Sequence, residues 1–79
     1  MTFTILYFGI LAERRGLAEE QVASTASTPR ELYAELDDKH QLGLVISDFR
    51  VAVDDEFVSW DHSLLGNSVI AFLPPMSGG

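Results

Sequence analysis

From Thr2 to Phe8 the chain reads TFTILYF, dense in β-branched and aromatic residues, which predicts a strand. Alternation places Phe3, Ile5 and Tyr7 on one face and Thr4, Leu6 and Phe8 on the other. Both faces turn apolar toward the strand's end, as in a strand covered on both sides or one covered by a partner. Gly9 to Gly16 (GILAERRG) predicts a short helix closed by glycine. Glu20 to Thr25 (EQVAST) is a weaker, more polar strand that suits a sheet edge.

Thr28-Pro29-Arg30-Glu31 carries a strong helix start: a threonine cap, proline at the first helical position, and glutamate three residues after the cap. Leu32, Tyr33 and Leu36 continue an apolar stripe to about His40. Glu35 and Lys39 form an i,i+4 pair in the favourable order, and Gly43 follows the helix. Arg50 to Val53 and Phe57 to Trp60 read as a hairpin around Asp54-Asp55-Glu56. Asp61-His62-Ser63 predicts a turn in which aspartate caps one helical turn, and Gly66-Asn67 a further turn. Val69 to Leu73 (VIAFL) is a continuous apolar strand, placed at the sheet centre beside the first strand, and Pro74 stops it. One amphipathic helix across a mixed sheet of about five strands defines an α+β domain.

With 79 residues there is room for a single domain, 1–79, with a tail over 74–79. The net charge is -7; Lys39 is the only lysine, and the arginines are Arg14, Arg15, Arg30 and Arg50. That balance argues against nucleic acid, whose phosphates require clustered positive charge. It favours a basic partner surface, with solubility as the plainer use of the same charge. Neither a leader nor a membrane-spanning apolar run is read in the sequence, so the expectation is a cytoplasmic protein without a membrane partner.

Candidate chemistry is sparse. There are no cysteines, hence no thiolate ligand, disulfide or cysteine nucleophile. His40 sits at the predicted helix end, where its charge suits the dipole. His62 lies in a turn with Ser59 and Ser63 nearby, an arrangement better explained structurally than as a nucleophile and base. Two histidines far apart make a poor zinc site, and no metal or bound cofactor is expected. The acidic hairpin tip is expected to be solvated, and there is no G-x-x-x-x-G-K phosphate loop.

The C-terminal Pro74-Pro75-Met76-Ser77-Gly78-Gly79 stands apart. At about 7% glycine, a terminal glycine pair arises by chance in roughly one chain in two hundred; a frayed end is the plain alternative. Glycines make a thin tail that can approach another backbone closely. An α-carboxylate is ionised at neutral pH and a poor electrophile. It carries a group only after activation, for example as an acyl-adenylate made by another enzyme with ATP.

Val58-Ser59-Trp60-Asp61-His62-Ser63-Leu64 and Val69-Ile70-Ala71-Phe72-Leu73-Pro74-Pro75-Met76-Ser77-Gly78-Gly79 resemble the small-subunit family of molybdopterin synthases, with its V-S-x-D-H-P-L and V-A-F-x-P-P-V-S/T-G-G patterns. Tyr7-Phe8, Ala12-Glu13 and Gly16 resemble the family's opening strand and helix. Ser63 replaces the common proline, Asn67 and Ser68 stand where acidic residues are usual, and Asp54 where asparagine is common. The resemblance implies a β-grasp, ubiquitin-like fold. It also implies a sulfur carrier whose Gly79 is adenylated, converted to a thiocarboxylate and inserted into the large catalytic subunit. There its sulfur builds the dithiolene of molybdopterin from cyclic pyranopterin monophosphate. The implied partners are that large subunit, in a heterotetramer, an adenylating enzyme that uses ATP, and a sulfur-donor protein. The chain itself is not expected to be catalytic alone.

With the helix over Phe3, Ile5, Tyr7, Ile70 and Phe72, the opposite face carries Leu6, Phe8, Ala71 and Leu73, extended by Phe57. An open apolar patch beside the tail is a candidate interface, unless loops or side-chain crowding hide part of it. Two other readings use the same glycine: a ubiquitin-like modifier of lysines, and a sulfur carrier of the thiamine pathway. Thiamine-pathway chains are usually shorter and lack the F-x-P-P segment.

Overall fold

The computed structural model describes residues 1–74. Its elements are β1 (Thr2–Tyr7), α1 (Ile10–Arg15), β2 (Glu19–Ala23), α2 (Pro29–His40), a 3-10 turn (Ile46–Asp48), β3 (Arg50–Val53), β4 (Glu56–Val58) and β5 (Val69–Leu73). They form one mixed five-stranded sheet in the order β2-β1-β5-β3-β4. β5 is central, parallel to β1 and antiparallel to β3. The polar β2 is an edge, as its sequence predicts.

The alternation within strands decides the layers. Phe3, Ile5, Tyr7, Val51, Ile70 and Phe72 are buried on one face, beneath Leu32, Tyr33 and Leu36 of α2. Tyr33, Phe49, Trp60 and Phe72 cluster there: the Tyr33 ring meets Phe72 edge-on at 5.4 Å, and Trp60 stacks on Phe72 at 6.0 Å. The strand containing Phe57 is shorter and earlier than its composition predicts. β4 ends at Val58, and Trp60 leaves the ladder to join this cluster.

The start of α2 follows its sequence signal in part. Thr28 Oγ1 accepts from the Glu31 backbone N–H at 3.2 Å, with Pro29 at the first position. The Glu31 carboxylate reaches past Thr28 to accept from the Ser27 backbone N–H and hydroxyl instead. At the other end the left-handed cap is Gln41, and Gly43 follows the helix as its sequence predicts. Gly43, at φ 80, lets Arg14 pass: Arg14 Nη1 donates to Leu42 O at 2.6 Å, and a Cβ on Gly43 would lie 2.8 Å from that nitrogen. Glu35 accepts from Ser24 Oγ, and no ion pair joins it to Lys39 among the described residues. Asp61 caps no helix; it takes a two-pronged hydrogen bond from Arg30.

A second anchor joins α1 to the edge strand. Arg15 Nε and Nη2 hold both oxygens of Glu20 at 2.8 and 2.7 Å, and Tyr7 Oη donates to Glu20 Oε2 at 2.6 Å. The Arg15 hydrogen bonds, against a smaller opposing effect of burial, bring the Glu20 carboxyl down to about 2. Burial and the neighbouring carboxylate push the Tyr7 hydroxyl above its ordinary value.

A carboxyl with a depressed native pKa stabilises the fold above its unfolded pKa and loses that contribution as acid protonates it. Glu20→Gln should therefore cost roughly 1–3 kcal/mol at neutral pH. In urea unfolding, the gap between wild type and variant should close as pH falls from 4.5 toward 2. A gap independent of pH would contradict the ionic role.

Candidate functional site

The sheet face away from α2 is organised in rows by strand register. Glu19 pairs with Leu6, Leu6 with Ala71, Ala71 with Ala52, and Ala52 with Phe57, so one row crosses all five strands. Beyond it toward the end of β5, Leu73 pairs with Arg50. On the other side, Thr4 stands beside Gln21 and Val69. The face therefore grades from polar to apolar in the direction in which β5 leaves the sheet.

The five expected patch residues fall on this apolar end. Leu6, Ala71 and Leu73 are half-buried, Phe57 is 60% exposed and Phe8 45% exposed. Phe57 and Phe8 flank an open groove of about 1230 Å³ whose lining also includes Ile10, Arg50, Leu73 and Pro74. Of the tail, Pro74 is half-buried at the groove's end. Pro75, Met76, Ser77, Gly78 and Gly79 lie outside the described residues.

Gly9 shapes the exit. It holds φ 56 and ψ -130, a conformation open essentially to glycine, and a Cβ there would lie 3.3 Å from Pro74 Cγ. The turn after β1 and the end of β5 thus approach closely because Gly9 has no side chain.

The remaining chemical candidates do not converge. His40 is the last residue of α2, and His62 is exposed, with its backbone N–H on Ser59 O. Ser59 Oγ accepts from the Asp61 backbone N–H. Among the described residues, no group of three or more His, Asp or Glu side chains is placed to hold a metal ion. At the hairpin tip Asp54 and Asp55 both take positive φ, forming a tight two-residue turn. Asp54 Oδ1 accepts from the Val69 backbone N–H at 2.9 Å, so the acidic tip fastens the start of β5 as well as meeting solvent. No helix among the described residues is long and apolar enough to cross a membrane.

The sequence profile of the ThiS family matches residues 5–79, and this covers nearly the whole chain. The chain belongs to the ThiS family. It is 32% identical over 78 residues to the molybdopterin synthase sulfur carrier subunit of Escherichia coli, covering 95% of this chain and 96% of that protein. Among solved structures it resembles SAMP1 of Haloferax volcanii, at TM-score 0.84 and 20% identity over the full length of both chains. It also resembles a chain in the complex of subunits 1 and 2 of the molybdopterin-converting factor from Helicobacter pylori, at TM-score 0.69 and 25% identity, again over all of both chains. The fold is the ubiquitin-like β-grasp that the sequence resemblance implied.

Ile10 and Arg50 are among the groove residues that the sequence pattern does not single out. Ile10, 40% exposed, begins the short helix α1. Arg50 begins β3, and the alternation of RVAV places Arg50 and Ala52 opposite the buried Val51 and Val53.

The Gly9 geometry yields a direct test. Gly9→Ala forces a side chain into a glycine conformation and against Pro74, at a cost of roughly 1–3 kcal/mol. Urea or thermal unfolding reads that loss, and an unchanged midpoint would show that the β1–α1 turn relaxes freely.

Proposed function

We propose that this chain is the sulfur-carrier subunit of a molybdopterin synthase and that Gly79 carries the sulfur. The observation that supports this most is the match to the sulfur carrier subunit of E. coli over 95% of this chain, alongside a family match that extends to residue 79. The exposed apolar end of the sheet, beside the strand that leads into Pro74, agrees with a subunit that is held while its tail is used.

The chemistry follows from what a carboxylate can do. An oxygen of the Gly79 carboxylate attacks the α-phosphorus of ATP within an activating enzyme, and pyrophosphate leaves. A hydrosulfide equivalent from a donor protein then displaces AMP from the acyl carbon, giving a thiocarboxylate. Sulfur is softer and more nucleophilic than the oxygen it replaces. Delivered into the large subunit, it is transferred to cyclic pyranopterin monophosphate, and water restores the carboxylate. Each tail brings one sulfur and a dithiolene holds two, so two loaded chains serve each product, in keeping with a heterotetramer. Catalytic side chains belong to the large subunit.

Within this reading Leu6, Phe8, Phe57, Ala71 and Leu73 form the docking patch, and Pro74, Pro75, Met76, Ser77 and Gly78 form the arm. The large subunit is the occupant. The likeness to a chain of the H. pylori subunit 1 and 2 complex supports a large-subunit partner, and the -7 charge suits a basic surface. Such an assembly would work in the cytoplasm. Likeness to SAMP1 speaks to the fold alone, and a modifier role would show itself as isopeptide-linked conjugates.

Incubation with ATP, an activating enzyme and a sulfur source should raise the intact mass by one sulfur-for-oxygen exchange. The chain lacking Gly79 should stay unmodified while melting like wild type. Sulfur uptake by the truncated chain, or none by the full chain, would sink the proposal. The Phe8→Asp and Phe57→Asp variants should each weaken binding to the large subunit at least tenfold, about 1.4 kcal/mol, by calorimetry.

A further inference from the structure

Arg50 is the unusual arginine of this acidic chain. The other three arginines each donate to the chain itself: Arg14 to Leu42 O, Arg15 to Glu20 and Arg30 to Asp61. Arg50 makes no side-chain hydrogen bond and no ion pair among the described residues, although Glu13 and Asp48 line the same groove. Its guanidinium lies over the Phe57 ring, 4.4 Å from the centroid. Register sets it opposite Leu73, on the last paired row before β5 leaves the sheet.

We propose that Arg50 fixes the orientation of docking by pairing with a carboxylate on the large subunit. This rests on reading the open sheet face as the large-subunit docking surface. A partner that covers Phe57 and Leu73 must also remove water from the guanidinium between them. Stacking on Phe57 satisfies one flat face only and leaves the in-plane N–H donors without acceptors. A charge desolvated in that way is strongly unfavourable unless it is hydrogen-bonded and paired. A carboxylate is the acceptor that matches the planar fork, two bonds at a time.

Long-range charge makes the same point from the other side. The -7 chain draws a basic surface toward it with little regard to angle. A lone cation within the apolar patch repels that surface everywhere except where it carries a negative group. The repulsion selects one register, and the register aims the end of β5. Glu19, at the other end of the five-strand row, marks the opposite rim with the opposite charge.

The test is the affinity for the large subunit, measured by calorimetry for wild type, Arg50→Glu, Arg50→Met and Phe57→Ser. Arg50 is exposed, so both Arg50 variants should melt like wild type. Arg50→Glu makes the chain two charges more negative, and long-range attraction alone would tighten its binding to a basic surface. Local pairing instead predicts binding at least about tenfold weaker, with Arg50→Met intermediate. Reversing one surface carboxylate of the large subunit to arginine should restore the Arg50→Glu chain. Unchanged or tighter binding by Arg50→Glu, alongside weakened binding by Phe57→Ser, would overturn the role of Arg50 and leave the docking surface standing. Failure of every single carboxylate reversal to rescue would overturn it as well. If the wild-type chain did not bind, the docking reading itself would fall, and this proposal with it.

Discussion

One long helix can cover only one face of a sheet. In this chain α2 seals the face that holds Phe3, Ile5, Ile70 and Phe72, all fully buried, and among the described residues no second long helix is available for the other side. The strands nevertheless stay apolar on that side toward the end of β5. The arrangement is tolerable because the open face mixes small residues with large ones. Ala52 and Ala71 sit at its centre, with Ala52 only 8% exposed, and the bulkier Phe8 and Phe57 stand at its margins. What is left over is a patch with a shape, and its position beside Pro74 follows directly from the strand order.

β5 ties these consequences together. It is the last strand in sequence and the middle strand in space, held by β1 on one side and β3 on the other. Alternation sends Ile70 and Phe72 into the core and Ala71 and Leu73 to the open face. The same short segment therefore anchors the fold, floors the patch and carries the chain outward. Gly9 on one side and the Arg50–Phe57 stack on the other frame the exit. Under the proposed function, a rigid base at this point serves the arm, since the entropy of ordering the domain has already been lost in folding.

Much of this was legible from period and punctuation. The two faces of TFTILY and VIAFL, the Thr28-Pro29 helix start and the polar edge strand all appear where alternation and capping chemistry put them. Side-chain partners chosen from three dimensions were not legible. Trp60 follows Val58 closely enough to read as the same strand, yet its ring gains more by stacking on Phe72. Asp61 has a cap's spacing but finds Arg30, distant in sequence. Glu35 has Lys39 one turn away and bonds Ser24 instead. Arg50 is illegible for the opposite reason: its significance lies in partners it lacks among the described residues, and a sequence alone shows no missing contacts.

The central claim is that the open sheet face, and not the helical face, receives the large subunit. An NMR titration of the isotope-labelled chain with the large subunit tests this most directly. The account predicts that the amides of Leu6, Phe8, Ala52, Phe57, Ala71 and Leu73 shift or broaden, while those of Glu31, Ala34 and Asp38 on the exposed side of α2 stay in place. Perturbation confined to α2, with the β3–β5 rows unchanged, would contradict it.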